Sequence, residues 1–138
     1  MGTATGMAPF TEVMERRVQA VTTIGNDAEN SLGKAKWAGT VTSVEYVPDA
    51  AKAGADTHSR TLNLFNRLGD GSGVTLIATL ALVAGVNLVA YDAKAITLSG
   101  TPANLNVAAG DELCWESLHI GNGITDPGGL VRVTLGRD

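Results

Sequence analysis

Catalysis or metal binding in this 138-residue chain would have to draw on His58, His119, Ser117, Cys114 and a few aspartates. Ser117 and His119 stand two apart on one strand and so share a face. With Asp111 or Asp126 they have the residue types of a nucleophile, its base and an orienting carboxylate. No Gly-x-Ser-x-Gly elbow surrounds Ser117, however, and Ser-x-His on a strand is common by chance. His58 lies in a polar loop, and neither histidine has a second ligand at a metal-binding spacing. Asp70 in Gly69-Asp-Gly-Ser-Gly73 lacks the spaced carboxylates and closing Glu of a calcium loop, so it reads as a turn. Gly121-Asn-Gly-Ile-Thr-Asp126 begins like a dinucleotide fingerprint but has no third glycine and no helix after it. Asp126-Pro-Gly-Gly129 has the residues of a type II turn. The lone Cys114 excludes an intramolecular disulfide or a CxxC site and reads as a small buried hydrophobe. No catalytic, cofactor-binding or metal site is expected.

Composition narrows the classes further. Ten Lys+Arg stand against 14 Asp+Glu, a net charge of −4. Phosphate binding needs clustered positive charge, so nucleic acid is not an expected partner. Aromatics are 4% of residues, too few for a base-stacking or sugar-binding platform. Charged residues are 17% and hydrophobic ones 44%, which favours a folded core over disorder. No basic segment leads into an apolar run at the start, and no secretory signal is expected. Gly71 to Tyr91 carries no charge and approaches the roughly 20 residues of a spanning helix. Gly85, Asn87 and the β-branched residues run against a helix there. Two apolar strands meeting at Gly85 are expected rather than a membrane span.

The elements that must position these residues are short strands. Seventeen glycines and four prolines punctuate the chain, with turn signals at roughly ten-residue spacing. Residues 1–16 read as an extended N-terminal arm, in which Thr11–Arg17 could form a helical turn, and residues 17–138 as the folded domain. Strands are expected at Val18–Ile24, Trp37–Val47, Arg60–Asn66, Val74–Val83 and from Gly85 to Tyr91. Further strands are expected at Ala95–Leu98, Ala103–Val107, Glu112–Ile120 and Leu130–Leu135. Asp27–Lys36 and Ala50–Ser59 read as loops. The fold class is all-β: an antiparallel sandwich or jelly-roll-like barrel of about eight short strands.

Several runs carry a resemblance. They are Thr42-Ser-Val-Glu-Tyr-Val-Pro-Asp-Ala50, Gly54-Ala-Asp-Thr57, Arg60-Thr-Leu-Asn-Leu64 and Gly69-Asp-Gly-Ser-Gly73. The C-terminal half adds Leu98-Ser-Gly-Thr-Pro-Ala-Asn-Leu-Asn-Val107, Gly110-Asp-Glu-Leu113 and Asp126-Pro-Gly-Gly-Leu-Val-Arg-Val133. From Val18 to Leu135 the set resembles head decoration (capsid cement) proteins of phages infecting actinobacteria. The resemblance implies a virion protein on the outer capsid surface, made in the host cytoplasm. It also implies a homotrimer whose partner is the major capsid protein, bridging capsomers through many contacts at once. Rival expectations are another virion part (tail, fibre or receptor-binding module) and, from a different class, a small hydrolase using Ser117 and His119.

Surface and core expectations follow. Trp37 and Trp115 are expected in the core or at a subunit contact. Arg16, Arg17, Lys34 and Lys36 make the first quarter locally basic, solvated by default, or a means for the arm to dock on an acidic capsid surface. Val74–Val83 is apolar on both faces, as expected of a central strand or of one meeting a neighbouring copy.

Overall fold

Alternation decides most of the architecture. In Gly39–Pro48, Val44 and Tyr46 are buried while their neighbours are partly exposed, and Glu112–Ile120 repeats the pattern with Leu113, Trp115 and Ser117 inward. The computed structural model describes residues 10–137. The strands are β1 (Thr11–Val18), β2 (Ala28–Lys34), β3 (Gly39–Pro48), β4 (Ser59–Asn66) and β5 (Thr75–Ala81). They continue as β6 (Lys94–Ala95), β7 (Thr97–Leu98), β8 (Asn106–Val107), β9 (Glu112–Ile120) and β10 (Gly129–Arg137). A 3₁₀ turn at Pro102–Leu105 is the one helical element among the described residues.

Two five-stranded antiparallel sheets result. One runs β1-β10-β3-β6, with β8 also on β3; the other runs β2-β9-β4-β5-β7. Their inner faces meet in one core, in which Tyr46 of the first sheet packs on Trp115 of the second with ring centroids 5.5 Å apart. The all-β sandwich expected from the turn spacing is the fold observed.

Several local expectations are corrected. The first strand is Thr11–Val18, not Val18–Ile24, and it is no helical turn. It pairs along its whole length with β10 and sends Met14 and Val18 inward. An edge strand needs only one apolar face, and charges such as Glu15 and Arg17 deter further pairing along it. Thr11–Arg16 of the expected arm therefore belong to the sheet, and residues 1–9 lie outside the described residues. Val18–Ile24 is instead a loop beyond Val18, tied down through Val21 and Asp126. Ala28–Lys34, read as a loop, is β2, because Ala28 and Leu32 reach the core across a bulge. The apolar run 74–90 holds one strand: β5 ends at Ala81, and the residues after it form a loop. Within β5 a bulge turns both Ile77 and Ala78 inward, which strict alternation forbids. No helix among the described residues is long and apolar enough to cross a membrane.

Candidate interaction surface

The residues that could do chemistry do not converge. Ser117 Oγ donates to Asp126 Oδ2 at 2.6 Å, and both side chains are buried. His119, two residues on, turns to Asp27, whose Oδ1 lies 2.6 Å from the ring Nδ1 and also accepts the His119 backbone N–H at 2.8 Å. Asp111 is elsewhere, accepting from Asn66 and from the Ala108 backbone. His58 Nδ1 accepts the Asn122 N–H, and Asp70 closes its own turn through Ser72. Ser117, His119 and a carboxylate thus form no relay. Cys114 is half-buried on the outer face of its sheet, and burial raises its thiol pKa. The described residues contain no pocket and no cluster of metal-ligating side chains.

What joins Ser117 and Asp126 is a structural knot centred on Arg60, which is 0% exposed. Its Nε donates to the Ile124 carbonyl at 2.7 Å, and one terminal nitrogen donates to the carbonyls of Ile24 and Asn26. The other donates to the carbonyl and hydroxyl of Ser117 at 3.2 Å. Asp126 completes the knot by accepting from Tyr46 OH at 2.5 Å and from the Gly128 N–H at 3.0 Å. Burial, and then the Asp126 charge, raise the Tyr46 phenol so that it stays a donor. Burial lowers the Arg60 pKa, and Asp126 and Asp27 oppose that shift. Arg60 was not singled out in the sequence, although it shares the alternation of Leu62 and Leu64 and so must point inward.

The Asp27–His119 pair gives the same loops an acid dependence. Burial raises the Asp27 pKa, but the His119 N–H and ring outweigh it and hold the carboxyl below its ordinary value. A depressed carboxylate contributes stability that is present above its unfolded pKa of about 3.9 and lost as pH falls through the folded value. Denaturant titrations across the acid range should therefore show a flatter acid loss for Asp27→Asn than for the wild type.

Loops 49–58 and 82–93 meet at the end of the sandwich where β3 finishes and are fastened to each other by backbone bonds. Lys52 and Leu88 exchange N–H···O bonds at 3.0 and 2.8 Å, and Ala55 N–H donates to the Leu82 carbonyl at 3.0 Å. Asn87 and Asp56 accept from the backbone of Gly54 and Ala84, each at 3.0 Å. Tyr91 N–H donates to the Pro48 carbonyl at 2.8 Å. Val83, Val89 and Tyr91 are exposed in these loops among small alanines, as are Asp56, Asn87 and Asp92. Tyr91 is 75% exposed and sits at φ 61°, a left-handed conformation that costs a non-glycine residue roughly 1–2 kcal/mol. Tyr91 thus combines an exposed aromatic ring with a costly backbone conformation.

Gly54 makes the fastening possible, since a Cβ there would overlap the carbonyl oxygens of Val83 and Val86. Gly54→Ala should spread the two loops and lower stability by about 1–3 kcal/mol in denaturant titration. A substitution without effect would show that the loops are not in register.

Two of the four basic side chains of the first quarter are engaged within the molecule. Arg17 pairs with Asp49, and Lys34 reaches Glu112 and the carbonyls of Gly69 and Gly110. Trp115 is in the core, whereas Trp37 is about half exposed.

No family model matches the chain, and no curated protein does. Among solved structures it is similar to a chain of the "Structure of infectious bursal disease virus Gx strain", at 10% sequence identity and a TM-score of 0.40. That likeness covers 93% of this chain and 32% of the other, so this chain spans about a third of the length of the structure it matches.

Proposed function

We propose that the chain is a structural protein of a virion, and more finely a decoration protein that binds the outer surface of a tailed-phage head. The observation that carries this reading is the fastened pair of loops with Val89 and strained Tyr91 held outward on an antiparallel sandwich. The motif resemblance from Val18 to Leu135 supports the same assignment. Its mechanism is adhesion to the major capsid protein. A rigid contact loses little conformational entropy on docking, and a homotrimer spanning capsomer junctions multiplies weak contacts into avidity. The test is sedimentation of purified protein with empty heads of the cognate phage. Saturable co-sedimentation is expected. Recovery of all the protein in the supernatant would overturn the proposal.

A further inference from the structure

At the opposite end of the sandwich, where β1 and β3 begin and β10 ends, Arg137 lies over two aromatic rings. Its guanidinium carbon is 4.0 Å from the Trp37 ring centroid and 5.3 Å from that of Phe10. The rings are 46% and 59% exposed, so the stack adds little to the core and faces water. It is nonetheless fixed in place. Arg137 N–H donates to the Phe10 carbonyl at 2.8 Å, which seats Phe10 beside β10. Both Glu12 carboxylate oxygens accept the Lys36 N–H, at 3.1 and 3.2 Å, which holds the connector bearing Trp37. A Cβ on Gly39 would collide with the Gly136 carbonyl, so these strand ends approach as closely as glycine allows.

We propose that this stack is a second binding site, which takes a carboxylate side chain from an acidic segment of a partner protein. Aromatic rings engage the π-face of a guanidinium and leave its in-plane N–H fork for an acceptor, and a carboxylate matches that fork with two parallel bonds. Exposed Lys36 stands in the same connector as Trp37 and adds positive charge. A nucleic-acid strand fits less well. Tracking a backbone needs a series of cations, whereas the described residues place two here, Arg137 and Lys36, and a single guanidinium fork takes a single carboxylate. The site is separate from the loops bearing Tyr91, so it does not rest on the proposed function. With both ends occupied, one molecule would link two partners.

The stack contains its own reporter, because Trp37 is exposed and Trp115 is buried. The full chain is titrated with a capped hexaglutamate peptide at low ionic strength, following tryptophan emission. Saturable change is expected in the wild type and in Trp115→Phe. Arg137→Gln should weaken binding on the order of tenfold, while Asp138→Asn, which removes the carboxylate next in sequence, should not weaken it. No binding by the wild type, equal binding by Arg137→Gln, or tighter binding of an oligothymidylate than of the peptide would each overturn the proposal. Tyr91→Gly should leave this titration unchanged, so failure here and failure of capsid binding are told apart.

Discussion

Replacing Arg60 by Met is expected to cost the fold about 3–5 kcal/mol, the range for breaking a buried charge network by removing one member. The guanidinium holds the carbonyls of Ile24, Asn26, Ile124 and Ser117, and through the Ser117 hydroxyl it reaches Asp126. Without it, four carbonyls lose a donor and Asp126 is a buried anion whose nearest cation has gone. Lys cannot replace it, because one ammonium cannot span acceptors on three separate segments. The double variant Arg60→Met/Asp126→Asn should recover part of the loss, since no lone buried charge then remains. Guanidinium denaturation measures all three. A loss within about 1 kcal/mol for Arg60→Met would mean that something else holds these loops.

Tyr91→Gly should separate stability from binding. Glycine takes φ 61° without steric cost, so the fold should be unchanged or more stable by up to about 1 kcal/mol. Affinity for phage heads should fall by about 2 kcal/mol, or ~30-fold, as for an aromatic anchor at the centre of a contact. Tyr91→Phe keeps the ring and should bind nearly as the wild type. A purely structural tyrosine would behave otherwise, because truncation would lower stability and leave binding alone. Thermal denaturation together with head-binding isotherms of the three proteins distinguishes the two cases.

Much of the sandwich was legible because it depends on local alternation. β3, β4, β9 and β10 carry β-branched or apolar residues at most inward positions, and β3, β4 and β9 close at Pro48, Asn66 and Gly121. β1 and β2 were not legible, for a physical reason. They are edge strands burying only a few side chains each, so Glu12, Glu15 and Arg16, or Glu29 and Ser31, mask the pattern. The bulge at Ile77 broke the period in β5. Among site residues, the inward direction of Arg60 was readable from its spacing to Leu62 and Leu64, and only its charge argued for the surface. The surface proposed for contact was not readable. It depends on backbone bonds such as Lys52 to Leu88, and on a left-handed tyrosine that no residue type announces. Phe10, Trp37 and Arg137 are brought together only by the pairing of strand ends far apart in the chain.

On the proposed function, the molecule works by gripping a shell and making it harder to break. The direct measurement is the temperature at which DNA escapes from filled heads stripped of this protein, then reloaded with the wild type or with Tyr91→Gly. Wild-type reloading should raise that temperature, and the glycine variant, at equal added concentration, should restore little of it. Identical escape temperatures for bare and reloaded heads would contradict that function.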